Sequence, residues 1–213
     1  MVNNDGKYLG ELIQGYKLLG YEYIDIENRS YTNSNLSTLP QDLYQLNNYI
    51  KNCNLCNLSK QKRSNSIFNN IEKKDIMVIG LIDIFDLNEN CQKILKHIIE
   101  NIFNFTNKDI HFTSILKCFT DKKYSVLKSE IKICIEYLYQ EIKIVKPKLI
   151  IAFGDVYEIL NKKDKKNSIA KIVYFNNIKL IPIYDLDYID KNPSLKDELY
   201  VNLNSLQKKM GKI

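Results

Sequence analysis

Four short apolar runs constrain the fold of this chain more than any other feature of its sequence. They cover residues 76–80, 110–116, 148–154 and 180–183. Continuous runs of this length are typical of strands that are buried on both faces. Stretches with helical spacing of apolar residues alternate with them, at about 90–105, 128–145, 154–161 and 195–209. The alternation predicts a three-layer α/β/α sandwich around a central, mainly parallel four-stranded sheet.

The N-terminal part of the chain differs from the rest. Residues 7–25 have apolar positions at helical spacing, which predicts a short amphipathic helix, and residues 27–39 are rich in Asn, Ser and Thr, which predicts a loop or linker. A length of 213 residues allows one domain with its own core plus a small appendage. We therefore predict an N-terminal helix and linker over 1–35 and a main domain over 36–213.

Four of the five cysteines have the spacing of a metal site. Cys53 and Cys56 form a C-x2-C turn, and Cys118 and Cys134 lie sixteen positions apart further along the chain. Four thiolates suit either a tetrahedral zinc ion or an iron–sulfur cluster, and the spacing does not choose between these soft-ligand centres. In a reducing compartment disulfides are not expected, so Cys91 is predicted to be a spare core or helix-face thiol.

Charge and hydropathy restrict the partners and the location of the protein. The net charge of +6 and the isoelectric point of about 8.9 fit a polyanionic partner without requiring one. The N-terminus is polar, and no apolar run approaches the roughly 20 residues of a membrane span. We therefore expect a cytoplasmic protein without membrane contact.

Ligand sites in parallel α/β sheets gather at the carboxyl ends of the strands. In this chain the segments after the four predicted strands are residues 80–86, 114–118, 154–155 and 184 onward. Cys118 follows the second predicted strand, and Cys134 lies in the next predicted helix. A shared metal site would therefore tie the C-x2-C turn to the middle of the fold.

Several motifs occur in a fixed order along the chain. They are the C-x2-C turn followed by Arg63, a strand ending at Gly80, residues 112–118 with Lys117-Cys118, residues 130–134 with Glu130 and Cys134, the Lys146-Pro147-Lys148 strand, and a closing Tyr188, Asn192-Pro193 and Lys196. In this order they resemble family 4 of the uracil-DNA glycosylase superfamily, the iron–sulfur uracil-DNA glycosylases, over about 39–206. The resemblance implies that the four site cysteines bind a [4Fe–4S] cluster, with zinc as the alternative.

The resemblance also implies a function in DNA repair. A uracil-DNA glycosylase flips a nucleotide out of DNA without reading the sequence, and it hydrolyses the N-glycosidic bond of uracil or another damaged base. The alternative hypothesis is a catalytically inactive iron–sulfur descendant that binds nucleic acid or a protein. We expect a monomer, and the sequence does not identify a protein partner.

The predicted base pocket departs from the family pattern. Of the family's Gly-Glu-Ala-Pro-Gly loop only Gly80 is kept, so Asp83 becomes the candidate acidic residue and Phe85 the candidate stacking ring. The family asparagine that reads the uracil edge aligns with Ser114, which cannot make the paired contacts of an amide. The family histidine aligns with Asp185, and a carboxylate there would repel the departing uracil anion.

Further polar and aromatic residues have alternative interpretations. The resemblance implies that Tyr184 lies on the DNA-facing loop and contacts the substrate. Asp83 and Asp86 are interpreted alternatively as caps of the next helix. The two histidines, His97 and His111, are predicted to be a helix-face residue and a strand-interior residue.

Overall fold

A five-stranded β-sheet lies at the centre of the structure, a computed structural model that describes residues 39–64, 72–120, 125–161 and 167–210. The strands are β1 Ile76–Gly80, β2 Ile110–Ser114, β3 Leu149–Phe153, β4 Val173–Phe175 and β5 Ile178–Ile183. Their order is β2-β1-β3-β5-β4, and all neighbours are parallel except β4 and β5. The described residues belong to the unit Thr38–Ile213. The predicted N-terminal helix and linker lie outside them, and the boundary near residue 35 stays a prediction.

The four predicted strands are all present, and β4 is an addition to them. β4 is an edge strand of three residues, and of these only Phe175 is buried. The short apolar run at residues 172–175 contains β4, and the prediction from the sequence did not include it. Every residue of β1, β2 and β3 is buried, as the apolar runs require. Burial of a large aliphatic side chain contributes roughly 1.5–3 kcal/mol.

Helices cover both faces of the sheet. In the described residues the α-helices are α1 Leu43–Lys51, α2 Glu89–Lys96, α3 Lys128–Val145, α4 Val156–Asn161, α5 Leu186–Asp190 and α6 Pro193–Met210. The helix α2 continues into a π-helical turn, His97–Ile102, and a 3₁₀ turn at Ile84–Asp86 follows β1. None of the described helices combines the length and the apolarity that a membrane-spanning segment requires.

Alternate residues of each strand contact different helix layers. Val78 and Ile151 pack in one core with α2, α5 and α6, whereas Met77 and Ile150 pack in a second core with α1, α3 and α4. This two-sided burial follows from the two-residue period of a strand. The predicted three-layer α/β/α sandwich with a mainly parallel sheet is therefore confirmed.

Candidate functional site

The carboxyl ends of β1 and β2 lie side by side. Gly80 pairs in register with Ser114. The parallel pairing continues beyond the strands, because the Ile115 amide donates to the Gly80 carbonyl at 2.9 Å and the Leu116 amide to the Leu81 carbonyl at 3.0 Å. Two residues that the sequence assigns to the base pocket, Gly80 and Ser114, are thus neighbours.

The chain turns back tightly over Gly80 after β1. A Cβ atom at this position would lie 2.6 Å from the Ile82 carbonyl oxygen and 2.9 Å from Ile84 Cγ2. Contacts this short exclude any side chain unless the backbone moves, so the close approach requires glycine. The loop backbone therefore lies directly against the end of the sheet.

Asp83 caps the 3₁₀ turn of this loop. The Asp83 carboxylate accepts a hydrogen bond of 3.1 Å from the Phe85 amide, at the start of the Ile84–Asp86 turn, and the residue is 1% exposed. Burial and the nearby Asp83 charge raise the pKa of Asp86, whereas Lys62 lowers it. This geometry agrees with the capping interpretation, and a catalytic role for Asp83 stays a prediction.

Phe85 presents an aromatic ring on the same side of the sheet as Ser114. Its ring meets the Phe112 ring edge-on, with centroids 5.1 Å apart, and the residue is 41% exposed. Phe112 lies two residues before Ser114 on β2, so both side chains face one side of the strand. A half-exposed ring braced by a buried one is suited to stacking against a planar group.

Ser114 is fully buried, and its hydroxyl already has an acceptor. The Ser114 Oγ donates to the Leu116 carbonyl oxygen at 2.6 Å. A serine hydroxyl has one proton and two lone pairs, so only acceptor capacity remains in this conformation. The Ser114 hydroxyl can therefore accept a further hydrogen bond but cannot donate one, and in this conformation it is closed off from solvent.

Asp185 lies where the carboxyl ends of β3 and β5 meet. Its Oδ1 accepts hydrogen bonds from the amides of Asp187 at 2.9 Å and Tyr188 at 3.3 Å, which caps α5. Gly154 follows β3 with φ of +66°, and a Cβ atom there would lie 3.3 Å from Asp185 Oδ2. The carboxylate is thus fixed at the sheet edge by its capping contacts.

Two tyrosine rings accompany Asp185 at this strand end. The centroids of Tyr184 and Tyr188 are 5.8 Å apart, and Tyr188 is 52% exposed. The His97 ring packs against the Tyr200 ring of α6, with centroids 4.5 Å apart. The Tyr188 ring is therefore exposed at this strand end, the Tyr184 ring is partly buried against the core, and His97 belongs to helix packing, as predicted.

Three of the predicted metal ligands share a small apolar cluster. Cys56, Cys118 and Cys134 pack there with Leu58 and Leu116. Leu58 belongs to the 3₁₀ turn Asn57–Lys60 after the C-x2-C turn, and Leu116 belongs to the segment after β2. The fold thus brings together cysteines that are far apart in the sequence.

Arg63 fastens the C-x2-C loop to the segment of Cys118. Its guanidinium donates to Cys118 Sγ at 2.8 Å, to the Lys51 and Ser59 carbonyls at 3.2 Å each, and to the Cys53 carbonyl. The backbone of Arg63 also forms an antiparallel bridge with Cys118. Arginine suits this position because its planar fork presents several donors in fixed directions.

The thiols of the site influence each other electrostatically. Burial raises the pKa of Cys134 to about 11, an amide hydrogen bond from Lys117 lowers it, and the thiols of Cys56 and Cys118 raise it. Burial likewise raises the pKa of Cys118, with Arg63 acting in the opposite direction. Thiols with raised pKa values are protonated at neutral pH, so a metal that binds them must displace protons.

The donor set fits a soft metal centre by its chemistry. Cys53 lies half-buried beside Tyr137, whose hydroxyl donates to Cys53 Sγ at 3.2 Å. Cys91 packs in the other core with α2, as expected of a spare thiol. Across the described ranges, no group of three or more His, Cys, Asp or Glu side chains is arranged to hold a metal ion. The four predicted ligands therefore remain a prediction.

A buried ionic network lies beside the cysteines. Glu141 Oε2 accepts from Lys117 Nζ at 2.5 Å and from Thr113 Oγ1 at 2.8 Å, and Glu141 Oε1 lies 3.1 Å from His111 Nε2. All four residues are at most 4% exposed. Burial raises the pKa of Glu141, but the Lys117 charge and the His111 hydrogen bond outweigh it and hold the value at about 2.

Comparisons with known proteins identify the family. The sequence model of the uracil DNA glycosylase superfamily matches residues 83–206. The chain belongs to the uracil-DNA glycosylase superfamily. A type-4 uracil-DNA glycosylase of Pyrobaculum aerophilum is 27% identical over 120 residues, which is 53% of this chain and 61% of that protein. A type-4 uracil-DNA glycosylase of Saccharolobus solfataricus is 24% identical over 170 residues, which is 70% of this chain and 78% of that protein.

These matches confirm the family resemblance that the motifs predicted. The chain covers less than two thirds of the length of the Pyrobaculum protein. The range matched to the uracil-DNA glycosylase superfamily includes Ser114, Cys118, Cys134 and Asp185, and it begins after the C-x2-C turn. Ser114 and Asp185 thus lie within the matched part of the chain, whereas Gly80 lies before it.

The sequence reasoning did not find the Lys117–Glu141 pair. One signal was available, because Lys117 lies between the apolar pair Ile115-Leu116 and Cys118. A second was the position of Glu141, seven residues after Cys134 on the buried face of α3. Neither signal names the partner, since β2 and α3 meet only through tertiary packing.

Proposed function

We propose that this protein is an iron–sulfur DNA glycosylase that hydrolyses the N-glycosidic bond of uracil or another damaged base in DNA. The observation that carries the proposal is the pairing of Gly80 with Ser114 at adjacent strand ends, with the Phe85 ring on the same side. These residues supply a close backbone approach, a polar group for the base edge and a stacking ring. Function in the cytoplasm and as a monomer remain predictions.

In the proposed reaction, the flipped base stacks on Phe85 and its edge meets Ser114. The Ser114 hydroxyl accepts a hydrogen bond from a base N–H, because its own proton is donated to Leu116. Breaking the glycosidic bond leaves negative charge on uracil, which requires a donor near the base oxygen. We assign this donor to the loop backbone after Gly80, since His97 and His111 lie away from the strand ends.

The proposed cofactor is a [4Fe–4S] cluster held by Cys53, Cys56, Cys118 and Cys134, with zinc as the alternative. The support is the thiol donor set, its clustering and the Arg63 contact with Cys118. When bound, a cluster with four thiolate ligands braces the loops that carry them. Anaerobic purification should yield a brown protein that dithionite bleaches. A colourless protein that contains one zinc ion would instead show that the bound metal is zinc.

The decisive experiment is an oligonucleotide assay. Anaerobically purified protein should create alkali-labile sites in single-stranded or double-stranded DNA that contains uracil. Cys134→Ser should reduce this activity, and Cys91→Ser serves as the matched control because Cys91 lies in the other core. If no alkali-labile site forms above the level of a metal-stripped sample, uracil excision is excluded.

Two contacts favour a second candidate function, a catalytically inactive member that binds nucleic acid or a protein. The Ser114 hydroxyl has an internal acceptor, and Asp185 stands at the position of the family histidine, where the resemblance implies that uracil becomes negative. This candidate predicts binding to DNA without base release, with log affinity falling linearly against log salt. The double variant Ser114→Asn with Asp185→His should restore base release only if the rest of the pocket is competent.

A further inference from the structure

A short segment joins the candidate base pocket to the cysteine site. Residues 114–118 begin with Ser114 at the carboxyl end of β2 and end with Cys118 in the apolar cysteine cluster. Between them Lys117 directs its side chain into the protein interior, where it is 2% exposed. A lysine this deeply buried requires a specific partner, because an unpaired buried charge is strongly unfavourable.

The partner of Lys117 is Glu141 on α3. Lys117 Nζ lies 2.5 Å from Glu141 Oε2 and 2.7 Å from Thr113 Oγ1, so one ammonium group contacts both the helix and the strand. His111 Nε2 lies 3.1 Å from the other carboxylate oxygen. The carboxylate therefore links three residues from β2 and the segment after it to a single point on α3.

The same face of α3 also carries a cysteine of the metal site. Cys134 precedes Glu141 by seven residues, which is two helical turns, and both side chains are buried. The amide of Lys117 also donates a hydrogen bond to the sulfur of Cys134. Segment 114–118 is thus held against α3 by Glu141 at the lysine side chain and by Cys134 at the backbone.

Stability alone does not account for such a pair. Replacing a buried ion pair by apolar residues of similar volume is often neutral or stabilising, because the desolvation of two charges offsets their attraction. Apolar contacts are non-directional, whereas charge-assisted hydrogen bonds fix distance and orientation. What an apolar replacement loses is therefore the defined position of the segment.

We propose that Lys117 and Glu141 are positioning residues that hold segment 114–118 against α3 and so place Ser114 for the base and Cys118 for the metal site. The kinetic part of this inference rests on the proposed glycosylase function. A displacement of about 1 Å in a catalytic constellation reduces the rate by about 10²-fold. The pair acts on the reaction through Ser114 and does not itself contact the base.

The test is the double variant Lys117→Met with Glu141→Leu. It removes both charges together, so neither is left unpaired. It also removes the hydrogen-bond partner of the buried His111 and Thr113 side chains, so its midpoint in urea should fall modestly. We expect kcat for uracil release to fall by about 10²-fold with KM within about twofold. Hydrogen–deuterium exchange of residues 113–119 should accelerate. A double variant with unchanged stability, kcat and exchange would overturn the proposal.

Readouts that do not need catalysis separate this proposal from the proposed function. If the wild type releases no base, glycosylase activity fails, but faster exchange in residues 113–119 and faster alkylation of Cys118 still support positioning. Unchanged exchange and alkylation overturn it whether or not the protein is an enzyme. The matched control is Asp75→Ala with Lys148→Ala, an exposed pair 2.8 Å apart, which should change none of these measurements.

A single conservative variant covers the case in which the double variant does not fold. Glu141→Asp keeps both charges and withdraws the carboxylate by one methylene group. We expect a reduced kcat, or faster exchange in residues 113–119, with the protein still folded. Wild-type values of both quantities in Glu141→Asp would overturn the proposal.

Discussion

Replacing Glu141 by glutamine tests the energetics of the buried network directly. The change keeps the size of the side chain but removes the negative charge that faces Lys117 at 2.5 Å. A glutamine oxygen can still accept from Lys117 and Thr113, and its NH2 group can face His111 Nε2. His111 then carries its proton on Nδ1, an atom that is buried without a hydrogen-bond partner in the described structure. The variant thus largely preserves the hydrogen bonds, and what it removes is the attraction between the carboxylate and the Lys117 ammonium group.

The pKa of Glu141 sets the size and the pH range of the effect. The gap between the ordinary value of 4.5 and about 2 corresponds to about 3 kcal/mol, at about 1.36 kcal/mol per pH unit. Because the folded state has the lower pKa, this stabilisation is fully present above about pH 5 and is lost as the pH falls toward 2. At pH 7 the variant leaves the Lys117 charge unpaired, which costs about 3–5 kcal/mol.

The assay is urea unfolding followed by circular dichroism at pH 7, 5 and 3. We expect the wild type to exceed Glu141→Gln in free energy of unfolding by about 3–5 kcal/mol at pH 7, with a smaller difference at pH 3. Asp75→Asn makes the same chemical change in an exposed pair and should cost less than about 1 kcal/mol. A loss below about 1 kcal/mol at pH 7, or a loss that is equal at pH 7 and pH 3, refutes the reasoning.

Three further changes test the loops around the two sites. Gly80→Ala should lower the free energy of unfolding by about 1–3 kcal/mol, because its Cβ would lie 2.6 Å from the Ile82 carbonyl oxygen; an unchanged urea midpoint contradicts this. Arg63→Lys keeps the charge but loses the guanidinium fork, so Cys118 should be alkylated faster, as followed by mass spectrometry. An alkylation rate equal to that of the wild type argues against the role of Arg63 in holding the segment of Cys118. Asp185→Ala should lower the free energy of unfolding by about 1 kcal/mol, because α5 loses its N-cap. Asp185→Asn should retain most of that stability, since asparagine also caps helices, and equal losses in the two variants rule out capping as the cause.

Local patterns were sufficient for most of the fold. The run 76–80 is buried on both faces, and its length and continuity alone distinguish it from a half-exposed strand. The same holds for the buried runs that became β3 and β5, whereas β2 is a buried strand with three polar residues, His111, Thr113 and Ser114. The edge strand β4 was missed, although residues 172–175 are an apolar run and Asn176-Asn177 follow it as a turn signal. Its antiparallel pairing with β5 was decided by the tertiary structure.

The candidate site was likewise predictable from the sequence only in part. Motif order alone predicted the superfamily, the cysteine set and the strand-end residues, since these depend on residue type and spacing. The roles of individual side chains depended on their neighbours: Ser114 donates its proton to Leu116, and Asp185 caps α5. Such contacts follow from local backbone geometry that spacing does not specify.

The sequence by itself indicated the lineage, because the order of its motifs resembles that of one family and this order is a property of the chain alone. Only the tertiary structure decided that Lys117 and Glu141 form a pair, twenty-four residues apart, between the candidate base pocket and the cysteine cluster. The physical reason is that α3 must pack across β2 before the two charges meet. Once both are buried, each charge requires the other.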